Sequence, residues 1–507
     1  MEKSLNEYAA LLKEKGLLAS SGVNEAGDLP VCGITYDSRE VKKGYLFICK
    51  GAAFKKEFLE KAVQAGCIGY VSETDYEIAG VPNIIVNDIR DAMPHIAKLF
   101  YEIPEDFKVI GITGTKGKTT TAYYIKSVFD EAMRMQGKPE IAFISTVETY
   151  DGKERISTGI TTPESFELYR HFKNACDSGI KYLVMEVSSQ ALKYKRTDGI
   201  TFDTGVFLNI SEDHISPVEH PDFNDYFKSK LKLFSQCRTA VVCADTDKYE
   251  KVMAAAKNAE DIITFGIENE ADIRAAGISA KEESTAFSVK YKENIYEFLL
   301  NMRGSFNVEN ALAAAAVAFH YGLPYEAVNA ALKKVSVPGR GEEYSSADGM
   351  IKVIVDYAHN GLSVRNIIGM AKEQWKGRKI VAVFGCPGGK GLNRRRDMGL
   401  AAGELSDKIY LTADDPAKEK VADICAEIGG YIKQTGGSYE IIEDRREAVI
   451  AAIRGCGEPS VVLLLGKGAE NTQRMADGPA EYESDSVIAR MALEEYNKNL
   501  SCSGGRE

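Results

Sequence analysis

The stretch Val109–Phe129, "VIGITGTKGKTTTAYYIKSVF", joins an apolar run to a helical pattern through glycines. Within it, Gly117-Lys118-Thr119 forms the core of a phosphate-binding loop. A glycine loop between a buried strand and a helix N-terminus points backbone N–H groups and the helix dipole at an anion. Lys118 adds a positive charge for the β- and γ-phosphates, and the Thr119 hydroxyl suits a magnesium ligand. The usual spacing, G-x-x-x-x-G-K-[ST], would put its first glycine at position 112, which is Ile112; the glycines fall at Gly111 and Gly114 instead. A surface turn that happens to contain G-K-T is the plain alternative. The strand before it, the helix after it and the extra glycines favour nucleotide binding.

Outward from the loop, the pattern is α/β. Residues 1–105 carry short apolar runs ("YLFICKG", "GYVS", "NIIV") between helical patterns, ending before Pro104 and reading as one small α/β unit. From Lys108 the runs "KVIGIT", "YLVMEVS", "TGVFLNI" and "TAVVCAD", with helices between them, predict a parallel sheet over residues 106–336. "VSVPGRGEEY" at 336–344 marks a boundary, and "IKVIVDYAH", "KIVAVFG", "KIYLTADD" and "SVVLLLG" predict a Rossmann-like domain over 337–507. Three α/β domains in series are expected. A chain of 507 residues is too long for a single core.

Composition narrows the function. The net charge of −11 argues against a nucleic-acid binder, which needs a basic face, but leaves room for a local basic pocket that takes anions. The charged N-terminal stretch "MEKSLNEYAALLKEKG" lacks the apolar core of a signal peptide, and no apolar run is long enough to span a bilayer. A cytoplasmic protein without membrane insertion is expected. Ten cysteines are scattered singly, with no CxxC pair and no Cys/His cluster, so neither structural zinc nor a disulfide framework is expected.

"GTKGKTT" resembles the loop of the Mur ligases, the ATP-dependent amino-acid ligases of peptidoglycan synthesis, where a G-T-x-G-K-[ST] form is usual. "YDSREVKKGYLF" at 36–47 resembles the UDP-sugar motif of their UDP-N-acetylmuramoyl-tripeptide synthetase branch. "TTPES", "EVSSQALKYKR", "NISEDHIS", "DYFKSKLKLF", "GSFNVENALAA", "VPGRGE", "VDYAHN", "LTADDPA" and "GKGAE" follow in that family's order, over nearly the whole chain. The resemblance implies acyl-phosphate formation from ATP followed by amide-bond formation. It also implies three domains, for the UDP-sugar peptide, for ATP and a C-terminal domain, with ATP and Mg2+ as cofactors. The expected partners are UDP-MurNAc-L-Ala-D-Glu and a diamino acid, on a monomer.

The same resemblance assigns roles. Gly114, Thr115, Lys116, Gly117, Lys118, Thr119 and Thr120 would hold the phosphates; Thr119, Glu186 and His214 would hold magnesium. Lys230 matches a lysine that the family carbamylates, turning a cation into an anion for a second magnesium; Lys228 and Lys232 are its neighbours. Lys118, Lys230, Glu186 and His214 are the expected catalytic set. Asn307 and Asn310 match the adenine-side segment, with a helix N-cap as the equal alternative for Asn307; Arg340 and Asp356 match phosphate and ribose contacts, and His359 follows. Ser38, Thr161, Thr162, Ser188, Tyr194 and Arg196 match contacts to the UDP-sugar peptide. Tyr194, Gln190, Ser216 and Ala469 depart from the family's usual residues.

The amino acid added is read from "DDPA". Members that add meso-diaminopimelate carry "DNPR", whose arginine grips the distal carboxylate. Here Ala417 is uncharged and Asp415 replaces asparagine, while Lys390 lies near an upstream arginine position. Asp414, Asp415 and Glu470 suit a distal ammonium, and "DHISPVEHP" resembles the lysine-adding branch. L-lysine is therefore expected, with meso-diaminopimelate open should Arg394, Arg395 or Arg396 supply the missing cation. A folylpolyglutamate-type glutamate ligase would lack the "YDSREVKKGYLF" segment. A nucleotide-binding paralogue without ligase activity would not need Lys118, Thr119, Glu186, His214 and Lys230 together.

Overall fold

The computed structural model of the chain describes residues 3–23, 25–51, 53–216, 219–281 and 284–503. Pro217 and Val218 of the "DHISPVEHP" segment lie outside them. Two compact units result: residues 1–211, 224–273 and 313–328 form the first, and 212–223, 274–312 and 329–507 the second.

The first unit contains two sheets. The strands β1 (Leu18–Ser21), β2 (Gly33–Thr35), β3 (Tyr45–Ile48), β4 (Gly69–Ser72) and β5 (Asn83–Val86) lie in the order β1-β5-β4-β3-β2. All pairs are parallel except the edge pair β1–β5. The three inner strands carry the continuous apolar runs that burial on both faces demands. The larger sheet uses β6 (Lys108–Thr113), β7 (Ala142–Ile144), β8 (Glu148–Tyr150), β9 (Arg155–Ser157), β10 (Tyr182–Glu186), β11 (Phe202–Phe207), β12 (Cys237–Cys243) and β13 (Asp261–Gly266). Their order is β13-β12-β11-β6-β10-β7-β8-β9. The centre, from β13 to β7, is parallel, as "KVIGIT", "YLVMEVS" and "TAVVCAD" predict. The β7-β8-β9 edge is antiparallel. β6 is central, so its C-terminal end opens where β10 and β11 flank it, the place where open parallel sheets bind ligands.

In the second unit, β14 (Ile273–Ala280) precedes an antiparallel hairpin of β15 (Thr285–Tyr291) and β16 (Asn294–Leu300). The parallel pattern expected up to 336 does not extend here. "TAFSVKYKENIYEFLL" alternates in burial, and Lys292 takes a left-handed turn conformation with φ 54°. The last large sheet comprises β17 (Glu342–Ser345), β18 (Ile351–Asp356), β19 (Lys379–Phe384), β20 (Lys408–Leu411), β21 (Tyr439–Ile441) and β22 (Ser460–Leu465), in the order β17-β18-β22-β19-β20-β21. All but the β17 edge is parallel. Helices cover both faces, each burying its own apolar cluster, which is the Rossmann-like layering expected for residues 337–507. A small hairpin, β23 (Thr472–Met475) with β24 (Gly478–Glu481), follows. No disulfide joins the described cysteines, and no described helix is long and apolar enough to cross a membrane.

Candidate active site

The three glycines of the opening stretch do three different things. Gly111 lies within β6, where a Cβ would come 2.6 Å from the Phe202 ring, so it is a packing glycine of the sheet. Gly114 ends the strand, and a Cβ there would come 2.9 Å from Leu208 Cβ on the chain leaving β11. Gly117 takes φ 81° and starts the helix Lys118–Met135, a backbone conformation that glycine adopts without strain. The unusual spacing thus follows from close approach of β11 to the loop.

Asn209 pins that loop. Its carbonyl accepts from Thr115 N at 3.0 Å, and its side-chain Oδ1 accepts from Lys116 N at 2.8 Å. The Thr115 hydroxyl donates to Ser211 O at 3.2 Å and accepts from Tyr226 OH at 3.2 Å. Of the expected phosphate-binding residues, Thr115 and Lys116 therefore have their amides engaged by Asn209, while Gly117, Lys118 and Thr119 open the helix. Thr120 is buried in the first turn. Lys118 bends back over the loop, its Nζ donating to Gly114 O at 2.9 Å and Thr115 O at 3.3 Å. Lys230, 1% exposed, donates to the same Gly114 O at 2.8 Å and lies 4.7 Å from the Tyr226 ring centre. Two ammonium groups converge on one carbonyl of the loop.

Glu186 ends β10 beside this loop and is buried. Its Oε2 accepts from Thr119 Oγ1 at 3.1 Å and its Oε1 from Thr146 N at 2.9 Å. A hydroxyl and a carboxylate so close are hard oxygen donors, which fit Mg2+ rather than a softer metal. Thr162 donates to Glu186 O at 2.9 Å and accepts from Ser188 N at 3.0 Å, while Thr161 accepts from Thr146 Oγ1 at 3.0 Å. Ser188 caps the helix Ser189–Lys193 through Ala191 N. Arg196 donates to Thr162 O at 3.1 Å. Tyr194 lies under the Arg90 guanidinium, 4.5 Å from its ring centre, and Ser38 is half-buried in the loop after β2.

The remaining expected residues belong to the second unit. His214 takes φ 57°, and its Nδ1 donates to Glu219 Oε1 at 2.8 Å. The hydrogen bond from His214 holds the Glu219 carboxyl below its usual range. A carboxylate on Nδ1 fixes the tautomer that leaves Nε2 as acceptor, the form a metal-binding imidazole needs. Asn307 lies inside the first turn of the helix Ser305–His320, so it is not the N-cap; its Nδ2 donates to Arg303 O at 2.7 Å. Asn310, one turn on, is buried beside it. Arg340 stacks on the Tyr357 ring at 4.1 Å. Asp356 accepts from Gly341 N and Ala358 N, both at 2.8 Å; burial raises its carboxyl above the usual range and Arg340 opposes the rise. His359 donates from Nδ1 to Tyr357 O at 2.7 Å.

The acidic trio is not bare. Lys467, 1% exposed, holds Asp415 at 2.9 Å and Glu470 at 2.5 Å. Tyr357 OH donates to Glu470 Oε1 at 2.8 Å, and Arg474 N to Asp415 Oδ1 at 3.0 Å. Burial pushes Asp414 up to about 6, against the pull of Lys467 and Arg445. Three carboxylates and one lysine leave the group net acidic. Ala417 takes φ 51°, and Lys390 is exposed. Each candidate substitute arginine is engaged: Arg394 with Asp213 at 3.1 Å, Arg395 with Glu419 and Glu427, Arg396 with Asp397. Lys467, Asn209 and Tyr357 were within reach of the motifs "GKGAE", "NISEDHIS" and "VDYAHN", yet a sequence does not say which of their side chains turn inward.

Residues 112–318 match the Mur ligase middle domain, and residues 339–468 match the Mur ligase, glutamate ligase domain. A UDP-N-acetylmuramyl-tripeptide synthetase of Lactobacillus delbrueckii subsp. bulgaricus is 37% identical, over 98% of this chain and 100% of that protein. The chain belongs to the Mur ligase family. Among Mur ligases, the UDP-N-acetylmuramoyl-L-alanyl-D-glutamate--L-lysine ligase of Streptococcus suis is 39% identical, over 92% of this chain and 94% of its own length. The Mur ligase fold is shared with a solved UDP-N-acetylmuramoyl-L-alanyl-D-glutamate--2,6-diaminopimelate ligase (TM-score 0.67, 24% identity, 98% of this chain and 99% of that one). It is also shared with the MurF ligase of Thermotoga maritima solved with ADP (TM-score 0.62, 18% identity, 93% and 99%).

Proposed function

We propose that this Mur ligase uses ATP to join an amino acid, L-lysine, to UDP-MurNAc-L-Ala-D-Glu, releasing ADP and phosphate. The full-length similarity to tripeptide synthetases and L-lysine ligases supports the class, and the Asp414–Asp415–Glu470 group with Ala417 supports lysine. The domains divide at 105/106 and 336/337, and the enzyme works as a cytoplasmic monomer.

The terminal carboxylate of the acceptor attacks the γ-phosphorus of ATP, the bond to the β-phosphate oxygen breaks, and an acyl phosphate forms with ADP. The amine of lysine then attacks the acyl carbon, phosphate leaves, and one proton is given up. Gly117, Lys118, Thr119 and the start of their helix hold the transferring phosphates by position and charge. Thr119, Glu186 and His214 would hold Mg2+, which supplies charge neutralisation on the phosphates. Lys230, carbamylated, would exchange its cation for a carboxylate directed at the same loop. Arg340 and Asp356 serve the nucleotide, with Asn307 and Asn310 on its adenine side. Thr161, Thr162, Ser188, Arg196, Ser38 and Tyr194 serve the acceptor. Lys390, exposed near Asp415, borders the amino-acid site. Asp415 and Glu470, oriented by Lys467, face the cationic amino acid.

ADP release should require the acceptor and lysine together. ADP formation driven instead by a folate and glutamate, or nucleotide binding without turnover on any acceptor, would overturn the reading.

A further inference from the structure

The first unit holds a carboxylate shared by two cations that the reaction scheme leaves unused. Glu164 precedes the helix Ser165–Asp177, at its N-cap position. Its carboxylate lies 2.6 Å from Lys50 Nζ and 2.9 Å from Arg196 Nε. Lys50 comes just after β3 of the smaller sheet, and Arg196 follows a helix of the larger one. Glu164 therefore ties the two sheets of this unit together through their basic residues. The Lys50 ammonium also stands 4.6 Å from the Tyr36 ring centre, and Tyr36 OH donates to Glu167 Oε1 at 2.6 Å. The side chains of Lys50 and Arg196 are only 17% and 22% exposed.

Arg196 is held by one hydrogen bond and one ion pair. One terminal nitrogen donates to Thr162 O, while Nε, 2.9 Å from the Glu164 carboxylate, pairs with it by charge without the alignment of a hydrogen bond. Its other terminal nitrogen has no partner among the described residues. A planar guanidinium anchored by that bond and that charge contact presents its remaining N–H groups in one direction, the geometry that recognises carboxylate or phosphate oxygens. We propose that Glu164 is a positioning residue for the acceptor, holding Lys50 and Arg196 together so that Arg196 offers its open edge to an anionic group of that molecule. The inference rests on the acceptor assigned under Proposed function.

Calorimetric binding of UDP-MurNAc-L-Ala-D-Glu and of UDP alone to the full-length protein tests it, with acceptor KM, ATP KM, kcat and thermal melting measured alongside. Glu164→Gln should weaken acceptor binding and raise its KM about tenfold, the scale of one charge-assisted hydrogen bond. Its kcat and ATP KM should change less than about twofold on that scale, and melting should stay at the wild-type value. Lys50→Met should give a similar loss, and the double variant less than the product of the two. Glu164→Asp should recover part of it. Weakened UDP binding as well would assign the group to the diphosphate; a loss confined to the full acceptor would assign it to a carboxylate. Folded Glu164→Gln and Lys50→Met that bind acceptor like wild type would overturn the inference. Wild-type protein that binds no acceptor would overturn the underlying reading, and this inference with it.

Discussion

Lys118 and Asp414 show what single residues contribute. Lys118 spans the loop it helps to form, which keeps its charge beside the helix N-terminus. Lys118→Ala should cost roughly 1.5–3 kcal/mol of nucleotide binding, about 10- to 150-fold, with the fold intact by circular dichroism. Near wild-type turnover in the folded variant would exclude the role. Carbamylation of Lys230 is checked in the same series: Lys230→Ala should be inactive and partly restored by a short carboxylate. Full activity of unmodified enzyme in bicarbonate-free buffer would contradict it. Asp414 carries a pH dependence. Its carboxyl is held at about 6, so its attraction for a cationic amino acid is present above that pH and lost as pH falls through it. The profile of kcat/KM for lysine should show an acidic limb near 6 that Asp414→Asn removes; an unchanged limb would contradict this. The stability sign is opposite: a carboxyl raised in the folded state stabilises the fold as pH falls from neutral through 6. At this scale the motifs single out Lys118, Thr119, Glu186 and Lys230, which the structure brings together around the loop. Lys467 escaped because a lysine in "GKGAE" reads equally well as exposed, and only burial against Asp415 and Glu470 reveals its part.

Among the elements, the strand–loop–helix around Gly117 was legible because its periodicity changes from a buried run to a helical pattern at the glycines. The function of each glycine was not legible, since Gly111 and Gly114 answer to Phe202 and Leu208, which lie far along the chain. The antiparallel hairpin Thr285–Leu300 departs from the parallel pattern expected up to 336: its residues alternate in burial, the pattern of an antiparallel pair with one face covered. A second element is wholly long-range. Arg445, the first residue of the helix Arg445–Arg454, is fully buried against Asp485, with contacts of 2.9 and 2.6 Å. It also donates to Ala413 O and Leu465 O, and so supports the two loops that carry Asp414, Asp415, Lys467 and Glu470. Removing one partner of a buried pair leaves an uncompensated charge, at a cost of roughly 3–5 kcal/mol. Asp485→Asn should lower the urea midpoint accordingly; a midpoint equal to wild type would show the pair to be dispensable.

For the whole molecule, the alternation of strands and helices indicated an α/β chain of several sheets, and the structure has three large ones. Compactness groups them differently from the sequence boundaries. The N-terminal sheet and the parallel strands of the larger one fall in one unit, and residues 274–312, central by sequence, fall in the other. No composition shift marks that exchange, because it depends on which surfaces pack. The most direct measurement is kcat/KM for L-lysine against meso-diaminopimelate, at fixed ATP and UDP-MurNAc-L-Ala-D-Glu. A substrate carboxylate facing Asp414, Asp415 and Glu470, with Ala417 where a cation would be needed, should lose several kcal/mol, by analogy with the roughly 2–5 kcal/mol lost when a buried charge loses its partner. Lysine should therefore be preferred by about a hundredfold or more. Faster use of meso-diaminopimelate would contradict the account and would mean that Lys390 or one of Arg394, Arg395 and Arg396 leaves its present place to bind the extra carboxylate.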